Sequence, residues 1–278
     1  MLQKEELKIF IDTIKERSEY DFTDYSEKSF SRRVEKIMTD YCLDFPELIR
    51  NIKTNKEFIE KIVKDITVNT TELFRDVKVW QDIKHRILPK FKEKKEFDVW
   101  HAGCSTGQEI YSLNILLNEL GICEKANISA TDINPDVIKK AEQGVYPYTF
   151  NIEYLDNFEQ VVRKNPYNFD QYIDVPYSKY FLIDSEADTI SMNSFLKKNI
   201  EYKKHNLVTK TSAFNKKFDI IFCRNVLIYF NIKLQQDLFY LFYNCLKPNG
   251  YLILGASESM IDERVIGYKR LGTFYTKI

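Results

Sequence analysis

Nowhere in this 278-residue chain do apolar residues run on for the about eighteen positions that suggest a membrane-spanning helix, so none is expected. The opening MLQKEELKIF puts acids in its first turn and has no apolar stretch, unlike a secretory signal, so a cytoplasmic location is expected. Cysteine is scarce. The 5 present (Cys42, Cys104, Cys123, Cys223, Cys245) are odd in number, scattered and without a CxxC pair. That pattern fits reduced, mostly buried thiols better than a disulfide framework or a zinc site. The 3 histidines, His85, His101 and His205, are far apart in sequence, so no metal centre is expected. Neither charge is in excess: 41 Lys+Arg balance 41 Asp+Glu. A generic nucleic-acid binder needs a basic surplus to release counterions, so that class is set aside, although a local patch is not excluded.

What is present is ordinary for a folded chain: 44% hydrophobic and 29% charged residues, enough for one large domain or two modest ones. The first 90 or so residues read as helical. Between Lys28 and Tyr41, the apolar residues Phe30, Val34, Ile37 and Tyr41 recur at i, i+4, i+7 and i+11, one face of a helix. Lys28, Arg32 and Lys36 recur on another face with Arg33 beside them, and a solvated surface is the plain reading of that stripe. Phe58, Ile59, Ile62, Val63 and Ile66 mark a second helix. A third, over Val77–Leu88, turns Trp80, Ile83 and Ile87 inward and stops at Pro89.

After the polar joint Lys90–Glu96 the pattern changes. Four short β-prone runs, Phe97–Gly103, Ile128–Ile133, Phe218–Asn225 and Tyr251–Ala256, alternate with helical ones at Glu109–Leu120, Pro135–Gln143 and Lys233–Leu246. Such alternation implies a parallel, doubly wound sheet, which binds ligands at the carboxyl ends of its strands. The alternation lapses between Tyr146 and Asn206, where a helix and then a small antiparallel hairpin are expected before the chain rejoins the sheet at Asn199–Asn206.

Candidate chemistry sits at the strand ends. Gly103-Cys104-Ser105-Thr106-Gly107 joins a strand to a helix, and glycines there permit a tight turn and close approach of backbone to a nucleotide-like ligand. It is neither a Walker loop nor the dinucleotide fingerprint, and a plain tight turn explains it equally well. Asp132 ends the next strand, where an acid can accept from both ribose hydroxyls; the competing reading is a helix cap, for which Asn134 serves as well. Turn and acid together favour an adenosine-type ligand. The missing phosphate-cradling glycine series tilts it towards S-adenosylmethionine (SAM). Arg224, Asn225 and Tyr229 are polar groups inside an apolar run and need partners, local backbone being the bland choice. In VNTTELFRD (Val68–Asp76), Thr70 or Thr71 is a possible cap and Arg75 a possible surface cation.

VNTTELFRD, AGCSTGQEIYSL, ATDINPDVIKKAEQGVY, KKHNL, FDIIFCRNVLIYFN and LKPNGYLILGASESM, in this order, resemble the CheR family, SAM-dependent methyltransferases that esterify glutamates on bacterial chemotaxis receptors. DYSEKSFSRRV is similar to that family's helical domain, and the likeness runs from about Asp24 to Ile278. The resemblance implies an all-α N-terminal domain (residues 1–76), a linker helix and joint (77–96) and a class I SAM-dependent methyltransferase domain (97–278). The last is an α/β, Rossmann-like doubly wound sheet with a small antiparallel β-subdomain inserted at about 146–206.

It also implies roles. Asn69, Thr71 and Arg75 match a segment contributing to the SAM site, and Gly103 and Glu109 match positions near the methionine moiety. Asp132 matches the ribose-binding acid. Asn206, Leu207, Asn225 and Val226 match positions lining the adenine and methionine sides. Arg75 and Tyr229 match the pair nearest the transferring methyl, and the product is S-adenosylhomocysteine. The partner implied is the acidic, cytoplasmic helical region of a receptor, for which Lys28, Arg32, Arg33 and Lys36 become a landing surface. Membrane insertion is not implied, and a monomer is the default.

Three departures stand out. Gln108 and Ile110 replace an acid and a proline in the family's G-E-E-P-Y-S, with Glu109 kept, and Leu73 replaces a Phe. The inserted segment is longer than expected and lacks the paired glycines of members that dock a receptor's C-terminal pentapeptide, so tethered docking is left open by the resemblance. Rival readings are the same carboxyl methylation of a non-chemotaxis signalling protein and a SAM sensor without catalysis.

Overall fold

Amphipathic periodicity builds four N-terminal helices: α1 (Lys4–Arg17), α2 (Glu27–Asp40), α3 (Phe45–Thr54) and α4 (Lys56–Ile66). The computed structural model describes residues 2–67, 70–149, 153–260 and 267–278. Two helix starts are set by short polar side chains. Asp44 accepts from Glu47 N at 2.8 Å while Glu47 accepts from Asp44 N at 3.0 Å, and Asn55 accepts from Phe58 N at 3.1 Å. Each such cap is worth about 1 kcal/mol. Phe30, Val34 and Ile37 of α2 are buried with Phe10 and Ile14, Leu48 and Ile52, and Ile59, Ile62, Val63 and Ile66. At roughly 1.5–3 kcal/mol per fully buried large apolar side chain, this face holds the unit together. Residues 208–210 and 226–239 belong to the same unit, where Phe230 meets Tyr25 edge to face at 5.1 Å.

The second unit comprises residues 69–207, 211–225 and 240–278. Its first helix, α5 (Val77–Asp82), does not stop at Pro89. It widens into a π-turn over Ile83–Ile87 and tightens into a 3-10 turn over Leu88–Phe91, with Pro89 in that turn's opening positions, where its missing N–H leaves no bond unmade. Trp80, Ile83 and Ile87 are buried. The cap of α5 is neither Thr70 nor Thr71: Asp76 occupies it.

The main sheet has the order β6-β2-β1-β7-β8-β10-β9. Its strands are β1 (Phe97–Ala102), β2 (Ala126–Asp132), β6 (Ile200–Lys204), β7 (Phe218–Cys223), β8 (Leu246–Leu254), β9 (Tyr268–Leu271) and β10 (Phe274–Lys277). From β6 to β8 the pairs are parallel; β10 and β9 add an antiparallel edge. The sheet is therefore mixed. Its last two strands, joined through Gly272 at φ +76°, form a hairpin that alternation of strands and helices cannot signal. β1 and β7 are buried almost throughout, as strands covered on both faces must be.

Helices α6 (Gln108–Glu119), α7 (Pro135–Gln143) and α9 (Ile232–Cys245) follow β1, β2 and β7. The excursion holds β3 (Val145–Pro147), α8 (Glu153–Phe158), a π-turn to Arg163, and the hairpin of β4 (Phe181–Asp184) and β5 (Thr189–Met192). β3 pairs with β5, so the expected two-stranded hairpin is a three-stranded sheet. Of the five cysteines, Cys104, Cys223 and Cys245 are buried thiols, Cys123 is half-buried and Cys42 exposed. Among the described residues no helix is long and apolar enough to cross a membrane.

Candidate active site

The carboxyl end of β1 opens into the glycine turn. Gly103 (φ +91°), Ser105 (φ +49°) and Gly107 (φ +92°) all take the left-handed region, so the chain reverses within five residues. Gly103 N and Cys104 N both donate to Thr131 O, at 2.8 and 2.9 Å, which ties the turn to the end of β2. A Cβ on Gly107 would lie 2.7 Å from Ala141 Cβ, so glycine is also what lets α6 pack on α7.

Ser105 N donates to Asp132 Oδ2 at 2.9 Å, and Asp132 Oδ1 accepts from Asn134 N at 3.0 Å. The cap of α7 is Asn134, whose Oδ1 accepts from Asp136 N at 2.9 Å, and not Asp132. Burial pushes the Asp132 carboxyl up, against the backbone N–H groups of Asn134, Ser105 and Ile133 that favour its charge. The Cys104 thiol is driven up by burial first and then by the charges of Asp132 and Glu109, so both carboxylates bear on the turn.

Glu109 lies in the first turn of α6. His101 Nδ1 is 2.8 Å from its Oε1, and since an ionised carboxylate only accepts, the ring proton sits on Nδ1. Arg224 Nη1 donates to its Oε2 at 3.1 Å. Burial alone would raise Glu109; the His101 hydrogen bond and the Arg224 charge outweigh it and hold the carboxyl below the usual range. Neighbouring Gln108 is also buried. Its amide donates to Tyr154 Oη at 2.8 Å and accepts from Thr106 Oγ1 at 2.7 Å, so the departure from a second acid is satisfied without burying a second charge.

Arg224, at the end of β7, continues the network. Its Nη2 donates to Arg75 O at 2.6 Å and to Asp76 Oδ2 at 3.0 Å, and its guanidinium lies 5.5 Å from the Trp80 ring centroid. The segment it grips is an unusual one. Phe74 (φ +53°) and Asp76 (φ +62°), on either side of Arg75, are both left-handed, a genuine outlier for an aromatic residue. Phe74 is fully buried, its N–H donates to Ser112 Oγ at 2.8 Å, and Leu73 O accepts from Asn157 Nδ2 at 2.9 Å. Leu73 fills its place with no exposed surface. Arg75 itself is half-buried, Nη1 donating to Thr70 O at 3.1 Å, and Thr71 is half-buried; Asn69 lies outside the described residues.

Asn225 follows at φ +57°, its N–H donating to Glu258 Oε2 at 2.7 Å; Gly255 N donates to the same oxygen at 2.8 Å. Beyond β6, His205 N donates to Asp132 O at 2.8 Å, placing Asn206 and the buried Leu207 just past the same strand end as Asp132. Val226 and Tyr229 belong to the helical unit, where the Arg33 guanidinium stacks 4.2 Å over the Tyr229 ring and donates to Ile66 O. The basic stripe thus divides: Lys28, Arg32 and Lys36 are exposed, Lys36 also pairing with Asp40 at 2.6 Å, and Arg33 turns into its own unit. Sequence reasoning passed over His101, Asp76 and Glu258 and left Arg224 without a role. The usable signal was that an arginine in a buried strand end demands carboxylates.

Comparison with known proteins gives two family matches: the CheR methyltransferase SAM binding domain over residues 69–270 and the CheR methyltransferase all-alpha domain over residues 5–67. Cher3 of Pseudomonas putida, whose name marks it as a candidate methyltransferase, is 32% identical over 92% of this chain and 89% of its own. A chemotaxis protein methyltransferase of Borreliella burgdorferi is 34% identical over 69% of this chain and 65% of its own, and one of Listeria innocua is 26% identical over 92% and 90%. Among solved structures, the SAM-bound amino pentose methyltransferase CalS10 of Micromonospora echinaspora covers 66% of this chain and 52% of its own, at TM-score 0.35 and 10% identity. The N-methyltransferase NodS of Bradyrhizobium japonicum, in complex with S-adenosylhomocysteine, covers 65% and 63% at TM-score 0.33 and 11% identity.

Proposed function

This chain belongs to the CheR methyltransferase family, and from that premise we propose that it esterifies glutamate side chains of chemotaxis receptors in the cytoplasm, leaving S-adenosylhomocysteine. Membership makes it a SAM-dependent methyltransferase; the receptor glutamate is the step beyond. The observation that carries the cofactor half is the glycine turn bonded to Asp132 through Ser105 beside a second carboxylate, Glu109. No lysine or arginine lies in Gly103–Gly107, and two acids suit a ligand that bears hydroxyls and positive charge, as SAM does, rather than phosphate.

The residues of the second unit that would hold SAM are the Gly103 turn and Glu109 at the methionine end, Asp132 at the ribose, and Asn206, Leu207 and Asn225 around the adenine and methionine, with Asn69, Thr71 and Arg75 contributing. When bound, SAM supplies a methyl group activated on a sulfonium. A glutamate side chain is ionised near neutral pH, so no general base is required. The task of the protein is alignment, worth several kcal/mol. Arg75 suits it: beyond the Nη1 bond to Thr70 O, its donors have no partner among the described residues, so they are available for a charge-assisted contact to the carboxylate. In this reading Lys28 and Arg32 meet the acidic receptor helix. The names of the Borreliella and Listeria relatives support the receptor half.

The test is incubation with labelled SAM and receptor cytoplasmic fragments, read for base-labile methyl esters. Base-stable label, or no label on receptors while another signalling protein takes it, overturns the assignment. Arg75→Ala is expected to lower methyl transfer by about 100-fold with SAM binding within about threefold. Equal losses in both would confine Arg75 to the cofactor and remove its role at the methyl acceptor.

A further inference from the structure

We propose that Arg224 is a positioning residue: its guanidinium fixes the backbone of Arg75 against the carboxylate of Glu109, so that the group orienting the methyl acceptor is set from the same fork that holds the cofactor-binding acid. The inference rests on the roles given above to Arg75 and Glu109. Three bonds carry it, Nη1 to Glu109 Oε2 at 3.1 Å and Nη2 to Arg75 O at 2.6 Å and to Asp76 Oδ2 at 3.0 Å. The two Nη atoms belong to one planar group, so the distance between the acid on α6 and the loop after Phe74 is fixed by guanidinium geometry, which no ammonium reproduces.

The loop needs such a hold. Phe74 and Asp76 both sit at positive φ, and conformations of that kind persist only where the surroundings over-determine them. Phe74 is pinned by Ser112 Oγ and by its buried ring, but the only side-chain donors reaching Arg75 O or Asp76 Oδ2 among the described residues are those of Arg224. Ala256 N donates to Asp76 Oδ2 as well, at 3.3 Å, which ties the loop after β8 to the same point. The far side of Glu109 is closed by His101, whose ring stacks on Phe222 at 4.6 Å, so the acid cannot swing to follow a displaced arginine. Arg224 is itself buried, so it acts through these residues rather than on substrate.

The experiment is a cycle of Arg224→Lys, Arg75→Ala and the double variant. Single-turnover transfer to a receptor cytoplasmic fragment at saturating SAM is measured alongside SAM affinity by calorimetry. Lysine keeps the charge and loses the fork. Arg224→Lys alone is expected to slow transfer about 30- to 100-fold, since a misplacement near 1 Å costs that much, while SAM affinity falls no more than about tenfold. In the Arg75→Ala background it adds less than about threefold, because the group it positions is gone. If Arg224→Lys does not fold, Asp76→Asn, which leaves the Glu109 contact in place, takes its position in the cycle. A crippling Arg75→Ala with losses that multiply overturns the positioning role alone and leaves Arg224 as ordinary structure. A harmless Arg75→Ala overturns the reading of Arg75 and the positioning role with it.

Discussion

Gly107→Ala is the sharpest single perturbation of the glycine turn. The backbone there has φ +92°, and an L side chain in this region costs about 1–3 kcal/mol. The new methyl would also lie 2.7 Å from Ala141 Cβ and 3.0 Å from Ala141 Cα, with Tyr111 at 3.4 Å. Overpacking of that kind costs about 1–3 kcal/mol, because the obstruction includes backbone of α7. Against this, alanine restricts the unfolded chain and returns about 0.4–1 kcal/mol. The net is about 1–5.5 kcal/mol, and at roughly 2–4 °C per kcal/mol the melting temperature should fall by about 2–20 °C in calorimetry. Ala141→Gly separates the two costs. Alone it loses about 1 kcal/mol of helix propensity, but combined with Gly107→Ala it should restore most of the overpacking part, a coupling of at least about 1 kcal/mol. A Gly107→Ala protein melting within about 2 °C of the parent, or a cycle with no coupling, would refute the reasoning.

Other perturbations reach different parts of the molecule. Gly255→Ala would set a Cβ 2.8 Å from both Asn225 Nδ2 and Glu258 Oε2; SAM affinity by calorimetry is expected to drop about tenfold with a smaller effect on melting. Asp219 is buried at the start of β7, and although burial pushes its carboxyl up, hydrogen bonds from Lys247 (2.7 Å) and Lys94 hold it below the usual range. Its stabilising contribution is then complete above the unfolded value near pH 4 and is lost as pH falls through the lower folded value. Asp219→Asn should therefore lower stability at pH 7 and flatten its decline below about pH 4 in denaturant titrations; an unchanged acid profile would remove the idea. Charge reversal at Lys28 and Arg32 should raise the receptor KM and make it steeper in salt, whereas unchanged kinetics would exclude the stripe as a landing surface.

The parts of the fold that could be read from the sequence are those governed by near neighbours. Pro135 behind Asn134, with Gly144 after Gln143, gives both ends of α7, and the alternation of apolar runs gives the parallel strands. Where the competing terms are tertiary, the reading fell short. Pro89 ends a helix by local rules, yet Leu88 and Phe91 are buried and the chain keeps turning at altered pitch to bury them. β3 is only three residues and gains its order from β5, far along the chain. Neighbouring cations on one helix read alike in sequence, but whether they meet solvent depends on what packs against them, and so Arg33, stacked on Tyr229, differs from the exposed Lys28, Arg32 and Lys36. The site divides the same way. Gly103, Glu109 and Asp132 stand beside readable turns, while the network of His101, Glu109, Arg224 and Asp76 joins four segments whose contacts no spacing encodes.

The left-handed pair around Arg75 bears on the order in which the molecule assembles. Taken alone, residues 73–76 prefer other conformations, and nothing within the segment offsets that preference. Its partners, Ser112 on α6 and Arg224 after β7, acquire their positions only when the sheet has formed and the two strands lie side by side. The segment is thus expected to take its final form with the finished sheet and to loosen before the strands do. The Phe74 amide, bonded to Ser112 and buried, is a single reporter of that closure: its hydrogen exchange follows the opening of the site rather than the unfolding of the strands beneath it.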